Sequence, residues 1–109
     1  MGTRKQLGDA LIAIFAECID PEIANTRVKF QPKTNTKLIY PCILYRLTGE
    51  RKTPANNKVY LKRRTYTITV IDRDPDSPLR DAVSALPYCS MSTPFVSDNL
   101  YHYPFTIHW

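Results

Sequence analysis

Three aspartates stand at alternate positions in the second half of the chain: Asp72, Asp74 and Asp76. Carboxylates with this spacing open the loops that bind calcium, where their oxygens surround the ion. The glycine and the closing glutamate that such a loop requires do not follow. Ser77 and Pro78 instead suit the N-cap and first position of a helix. The pattern therefore indicates an acidic turn that leads into a helix.

Histidine and cysteine offer no stronger constellation. His102 and His108 fall on one face of a predicted strand, but six positions along a strand separate them by about 20 Å, too far to share a metal ion. Cys18, Cys42 and Cys89 form no CxxC pair and stand beside apolar residues, as buried reduced thiols do. With three glycines in all, the chain has no glycine-rich phosphate loop. We therefore expect no catalytic residue, metal or cofactor site, no small-molecule substrate, and a protein that is not an enzyme.

Charge is distributed unevenly along the sequence. The formal net charge is +5, yet residues 27–64 hold eleven basic residues against Glu50 alone, a net of +10. Residues 65–109 hold two basic and five acidic residues, a net of −3. The basic residues closest to a predicted hairpin tip are Arg51, Lys52, Lys58, Lys62, Arg63 and Arg64. Such asymmetry favours a basic surface that meets an anionic partner.

That partner could be the acidic turn of a neighbouring copy, built from Asp72, Asp74 and Asp76. It could equally be the phosphate backbone of a nucleic acid, since Tyr60 and Tyr66 are interleaved with the basic residues and could stack on bases. A solvated hairpin that only improves solubility is the third alternative. We predict the six basic and three acidic residues as contact residues.

The first half of the chain is predicted to form one helix and two strands. Apolar residues at helical spacing predict a helix from Arg4 to Ile19. Strand formers predict a strand over Lys37–Leu47, either at a sheet edge or bulged at Pro41, because Pro41 lacks an amide donor. The loop Thr48–Lys58 then leads to a long strand, Val59–Asp72, in which Tyr66, Ile68 and Val70 share one face. The two strands are expected to pair as an antiparallel hairpin with a protruding tip.

The second half predicts a helix from Pro78, a weak strand over Cys89–Ser97 that Pro94 breaks, and a last strand over Leu100–Trp109 with alternating apolar residues. The element order is α-β-β-α-β-β. It predicts an α+β fold with one mostly antiparallel four-stranded sheet and two helices packed on one face. A length of 109 residues predicts a single domain, 1–109. No apolar run approaches the roughly 20 residues that cross a bilayer, so no membrane partner is expected.

Four segments resemble the small tail proteins of tailed bacteriophages: YPCILYRL, NNKVYLKRRTYTITVIDRDPDSP, LPYCS and VSDNLYHYPFTIHW. The likeness extends over about Ile39–Trp109 and is to minor tail and tail-completion proteins, which are close in size and element order to tail terminators. It is a whole-pattern likeness without a catalytic motif, and no site residue carries over from it.

What this resemblance implies is a structural virion protein with a tail-terminator-like domain. Such proteins form a ring, commonly a hexamer, at the head-proximal end of the tail. The ring caps the tail tube, offers a surface to the head–neck connector, and lets the genomic DNA pass through its lumen. Assembly would take place in the host cytoplasm. The alternatives are a head–tail joining (neck) protein and a small basic DNA-binding module.

Overall fold

A computed structural model describes residues 4–31, 38–54 and 60–109, and for residues 50–54 and 60–63 the backbone alone. The described residues form three helices and six strands. The helices are α1 (Arg4–Cys18), α2 (Ala24–Arg27) and α3 (Pro78–Ser84). The strands are β1 (Val28–Phe30), β2 (Cys42–Pro54), β3 (Tyr60–Asp72), β4 (Cys89–Met91), β5 (Phe95–Ser97) and β6 (Leu100–His108).

All six strands belong to one mixed sheet with the order β1-β2-β3-β6-β4, and β5 pairs with β6 on the same side as β4. Strand β1 runs parallel to β2, and the other pairs are antiparallel. The prediction of a four-stranded, mostly antiparallel sheet with two helices is therefore wrong. Strand β1 and helix α2 are too short for periodicity to reveal them, and the predicted strand Cys89–Ser97 is two strands separated by Ser92–Pro94.

One face of the sheet is buried under helices. Tyr66, Ile68 and Val70 are almost fully buried, which confirms the predicted apolar face of β3. Helices α1 and α3 cover this face with apolar side chains at helical spacing, because burial of one apolar stripe is what stabilises a short helix on a sheet. The helical core residues are Leu7, Leu11, Phe15, Leu79 and Val83. The sheet contributes Ile43, Tyr45, Tyr103, Phe105 and Ile107 besides those of β3.

The opposite face of the sheet, here the open face, is covered by no helix among the described residues. Thr65, Thr67 and Thr69 of β3 lie on it and are partly exposed. Near one end of this face, Cys42, Ile71 and Leu100 form a second, small apolar cluster. At this end of β3 the side chains on both faces of the strand are buried, and Asp72 is buried as well. This burial holds the turn that follows β3 in place.

The predicted hairpin of the two long strands is confirmed, but with different bounds. The predicted edge position of the first strand is wrong, because β1 pairs with the other side of β2 and Pro41 lies before the strand rather than in it. Strand β2 begins at Cys42, after a cis Tyr40–Pro41 peptide bond, and continues to Pro54 into the predicted loop. The predicted loop residues 55–58 lie outside the described part of the chain.

A two-stranded arm projects from the sheet. It consists of Glu50–Pro54 and Tyr60–Arg64, which pair with each other from Glu50↔Arg64 to Pro54↔Tyr60. Pairing of β3 with β6 begins only at Thr65↔His108, so no third strand supports the arm within the described residues. The molecule measures 51 × 29 × 29 Å, and its radius of gyration is 14.8 Å, against about 13 Å for a compact chain of this length. The arm explains this elongation.

Candidate functional site

Like charges stand directly opposite each other in the arm. The backbone register places Arg51 opposite Arg63 and Lys52 opposite Lys62. Like charges at opposed positions destabilise a strand pair, by about 0.2–1 kcal/mol for each pair, and an isolated two-stranded ribbon is marginally stable in water. Lys58, the remaining basic residue of the predicted tip, lies outside the described residues. The arm therefore gains stability from any partner that brings negative charge to it.

The root of the arm is a β-bulge. The register of β2 and β3 shifts between Leu47 and Gly49, which leaves Thr48 as the extra residue. Its hydroxyl donates to the carbonyl oxygen of Thr65 at 3.1 Å and accepts from the hydroxyl of Thr67 at 3.5 Å. Because bulges bend a strand and increase its twist, these bonds fix the direction in which the arm leaves the sheet.

Arg64 links the arm to the body of the protein. Its carbonyl oxygen accepts a hydrogen bond from the backbone amide of Trp109 at 2.9 Å. Arg64 as a whole is only partly exposed. Among the six predicted basic contact residues, Arg64 is the one whose side-chain environment is described. We infer that it belongs to the root of the arm rather than to its tip.

The acidic turn, Asp72–Asp76, lies at the other end of β3. Asp72 is 7% exposed, and its carboxylate accepts the backbone N–H of Asp74 at 3.1 Å. The carboxylate of Asp74 accepts the backbone N–H of Asp76 at 2.9 Å. Aspartates that bond the backbone two residues on are typical of tight turns. Asp72 is thus a structural residue, whereas Asp74 and Asp76 present exposed negative charge.

The carbonyl oxygen of Pro75, at the centre of the acidic turn, has two donors. The hydroxyl of Tyr103 reaches it at 2.7 Å and a guanidinium nitrogen of Arg80 at 3.1 Å. The same guanidinium lies 5.3 Å from the centre of the Tyr103 ring, a cation–π contact, and its Nε is 3.4 Å from a carboxylate oxygen of Asp81. The turn is therefore held in one conformation. Tyr103 and Arg80 were not predicted as site residues, since nothing local in the sequence relates them to Pro75.

The arm and the acidic turn cannot meet within one chain. They occupy opposite ends of β3, whose 13 residues span about 40 Å. Their charges also differ in size. Residues 50–64 hold six basic residues and Glu50, a net of +5, and residues 72–81 hold two basic and four acidic residues, a net of −2. The structure thus separates the basic and acidic predicted contact residues instead of bringing them together.

Ser77 does not act as predicted. It occupies the N-cap position of α3, but its side chain makes no capping hydrogen bond. The residue is fully buried, and its hydroxyl oxygen has no hydrogen-bond partner in the described part of the chain. Helix α3 begins with Pro78 and has Asp81 in its first turn, which favours the positive end of the helix dipole.

The cysteine thiols are poor nucleophiles at neutral pH. Burial raises the pKa of the Cys42 thiol to about 11, against the opposing effect of Arg27 and Lys29. Burial also raises the pKa of Cys18 and of Cys89. Because the thiolate is the reactive form, all three stay unreactive unless their surroundings change.

Neither histidine stands in a set of metal ligands. The ring of His102 stacks on Phe95 with the two centres 4.7 Å apart, and His108 Nδ1 is 3.2 Å from the hydroxyl of Thr65. In residues 4–31, 38–54 and 60–109, no three His, Cys, Asp or Glu side chains are grouped as metal ligands.

Among the hollows on the surface, two are lined by described residues as follows. One lies on the open face, has a volume of about 460 Å³ and is lined by Gln31, Leu44, Tyr45, Arg46, Thr67 and Thr69. The other has a volume of about 510 Å³ and is lined by Tyr40, Arg73, Asp98, Asn99 and Leu100. Each holds at most one cationic side chain and no cluster of catalytic groups. The arm and the acidic turn therefore remain the stronger functional candidates.

No protein-family model matches the sequence, and no curated protein matches it. None of the helices in the described residues has the length and apolar character needed to cross a membrane. The support for a function therefore comes from the geometry of the arm and the acidic turn and from the sequence resemblance of residues 39–109.

Proposed function

We propose that this chain is a non-enzymatic structural protein of a phage virion. Its copies form a ring that caps the tail tube at the head-proximal end of the tail and joins it to the head–neck connector. The sequence resemblance implies that this ring is a hexamer. The resemblance supplies the kind of assembly. The observation that carries the proposal is the separation of a basic arm and an acidic turn at opposite ends of β3.

Opposite charges that cannot meet within a chain can meet between chains. When one patch of a subunit contacts a different patch of the next, the subunits form a ring if the rotation closes. Asp74 and Asp76 suit this contact because the bonds of Pro75 to Tyr103 and Arg80 already hold their turn in place. Little conformational freedom is then lost on association. The approach of two carboxylates also offsets the repulsion between Arg51 and Arg63.

A positive surplus remains after this contact, because the net charge of +5 on residues 50–64 exceeds in size the −2 of residues 72–81. In a ring, the surplus of every copy is repeated around the axis. Such a repeated positive charge suits contact with the phosphate backbone of DNA that passes through the lumen. It suits an acidic rim of the tail tube protein equally well.

Analytical ultracentrifugation at several salt concentrations tests the proposal. The double substitution Lys62→Gln/Arg63→Gln removes two charges from the arm, and we leave Arg64 in place because it belongs to the root. Exposed charges interact over about 8 Å at physiological ionic strength, so wild-type rings should weaken as salt rises. The double variant should have a lower mass at low salt and a smaller dependence on salt.

Lys5→Gln/Arg46→Gln is the matched control, since both residues are exposed and the net charge changes equally. It should assemble like the wild type. An unchanged mass for the arm variant, with the control also unchanged, would refute the assembly role of the arm. Negative-stain images of wild-type protein with tail tubes give the second measurement: rings at one end of each tube support the capping role, and rings on the connector alone support a neck protein.

The positive surplus of the arm favours one further candidate, a small basic DNA-binding module. Such a module would stay monomeric and bind oligonucleotides with an affinity that falls steeply with salt. Monomers that shift DNA in a gel and never form rings would favour this module over the virion protein.

A further inference from the structure

A sheet edge without charge lies far from the arm in the strand order. Strands β4 and β5 both pair with β6, and no strand of the described residues pairs with their other side. No charged residue occurs from Ala82 to Ser97. Met91 is 49% and Val96 61% exposed. We call β4 and β5 together the neutral edge. It is unusual because free edges of a sheet are commonly protected by charged side chains.

The backbone of this edge is available for pairing. Ser92 donates its N–H to the carbonyl of Pro104 at 2.8 Å, and His108 donates to the carbonyl of Tyr88 at 3.2 Å. Residues of an antiparallel strand bond alternately to one side and the other. Cys89 and Met91 therefore direct their N–H and C=O groups away from β6, towards the free side.

The opposite edge of the same sheet is β1, and its direction allows antiparallel pairing with the neutral edge of another copy. Strand β1 is parallel to β2, and each following step to β3, β6 and then β4 or β5 reverses the direction. The neutral edge consequently runs opposite to β1. Two copies placed side by side in the same orientation bring β1 of one antiparallel to the neutral edge of the other.

We propose that the neutral edge binds strand β1 of a second copy, so that one sheet continues from subunit to subunit around the ring. The inference rests on the proposed function for its ring symmetry alone. Copies paired in this way lie side by side with all their arms at one end of the ring, so the edge replaces the arm and acidic turn as the contact between neighbours, and the arm is left to meet DNA, the tail tube or the connector. Charge also selects this pairing: β1 against β1 would bring together Arg27 and Lys29 of both copies, whereas the neutral edge repels neither. Pairing of two neutral edges would close a dimer with two-fold symmetry and leave β1 free.

Two substitutions on the neutral edge test the pairing by sedimentation. Met91→Pro removes an N–H that points away from β6, and proline is tolerated at edges where no bond is lost. Val96→Lys adds a charge to an exposed edge position, a natural means of preventing strand addition. Each should reduce the assembly constant at least tenfold. Ile39→Lys is the control, because Ile39 is equally exposed, at 56%, and lies outside the edge; it should assemble like the wild type.

Cysteine cross-linking identifies the partner strand and holds even where a substitution impairs folding. Lys29→Cys and Phe95→Cys, which lie on the same open face of the sheet, are made in separate chains that carry Cys18→Ser and Cys89→Ser, and the two chains are mixed under mild oxidation. A cross-linked heterodimer is expected only in the mixture. Cross-linked Phe95→Cys homodimers alone would overturn the pairing with β1 and indicate the two-fold dimer.

The outcomes separate this inference from the proposed function. Rings that persist in both Met91→Pro and Val96→Lys refute the edge pairing and leave the proposed function standing. A wild-type protein that stays monomeric at all concentrations refutes both. Loss of rings in the edge variants with the arm charges intact supports edge pairing as the contact that closes the ring.

Discussion

The hydroxyl of Tyr103 donates a 2.7 Å hydrogen bond to the carbonyl oxygen of Pro75. The two residues are 28 positions apart, so the bond ties the middle of β6 to the acidic turn at the end of β3. Tyr103 is 4% exposed, and its ring also supports the guanidinium of Arg80. One aromatic residue of the core thereby fixes the exposed acidic surface.

Tyr103→Phe should lower the free energy of unfolding by about 1 kcal/mol, the usual contribution of one intramolecular hydrogen bond. The loss should not be larger, because Arg80 still satisfies the Pro75 carbonyl. Urea unfolding measures the effect. Tyr101→Phe removes a hydroxyl from the ring that stacks beside Tyr103, with centres 6.5 Å apart, and should change stability much less. Equal losses in the two variants would contradict the role of the Tyr103 bond.

Gly8 packs against Tyr45, and this contact predicts the effect of a substitution. A methyl group on Gly8 would lie 2.5 Å from the Tyr45 hydroxyl oxygen. Alanine in a free helix is better than glycine by about 1 kcal/mol, but here the clash should outweigh that gain, since Tyr45 is 6% exposed and packs against Phe30. Gly8→Ala should therefore destabilise the protein in urea unfolding.

A double-mutant cycle identifies the cause. Tyr45→Phe removes the hydroxyl and leaves ring atoms at an ordinary contact distance of 3.4 Å. Gly8→Ala should then cost less in the Tyr45→Phe background, with a coupling free energy of about 1 kcal/mol. Strictly additive effects would show that the approach of helix α1 to β2 does not depend on this glycine.

Cys42 predicts a loss of stability in alkaline solution. Burial raises its pKa from 9.0 to about 11 in the folded protein, so the folded state keeps its proton where the unfolded state releases it. The stabilisation is complete below pH 9 and disappears as the pH rises through about 11. The free energy of unfolding lost over this pH range is at most about 2–3 kcal/mol.

Cys42→Ala should be less stable than the wild type at neutral pH and lose less stability between pH 9 and 11. Thermal unfolding across this pH range, with Cys18→Ala as the control for a more exposed thiol, measures the difference. Parallel pH profiles for wild type and Cys42→Ala would exclude Cys42 as the titrating group.

The arm register predicts opposite results for two neighbouring substitutions. Arg63→Glu places a carboxylate opposite Arg51 and removes a repulsion, whereas Arg64→Glu places one opposite Glu50 and creates a repulsion. Both change the net charge equally. Amide hydrogen exchange in the arm should slow in Arg63→Glu and accelerate in Arg64→Glu, with differences of up to about 1 kcal/mol.

Ring assembly should weaken in both of these variants, because both remove positive charge from the arm. Arg63→Glu would then combine a more stable arm with poorer assembly, and sedimentation shows this directly. Assembly that improves together with arm stability would instead mean that the arm binds its partner through its shape and not through its charge.

Long periodic segments could be predicted from the sequence. The predicted helix from Arg4 to Ile19 forms as Arg4–Cys18, and the predicted last strand forms as Leu100–His108. Each carries an apolar stripe at its own period, and burial of that stripe decides the structure. The break at Pro94 was predicted as well, although it divides the region into two strands that pair separately with β6.

The remaining elements depend on contacts distant in sequence. Strand β1 has three residues and forms because β2 offers a parallel edge beside Val28–Phe30. The extension of β2 to Pro54 runs through charged and turn-forming residues, which read as a loop until pairing with β3 is known. At the site, the nine contact residues stay a prediction from the sequence. The burial of Asp72 and the bonds of Tyr103 and Arg80 to Pro75 could not be predicted, because they depend on contacts distant in sequence.

The length of strand β3 also sets the distance between the arm and the acidic turn. The strand is one unbroken element of 13 residues, so the number of its residues sets the spacing of the two charged ends, at about 3.3 Å for each residue. If copies meet through those ends, the step from one subunit to the next is a multiple of a backbone repeat. Removal of two residues would keep every side chain on its face and shorten the step by about 7 Å. The diameter of the ring would then be encoded in the length of a single strand.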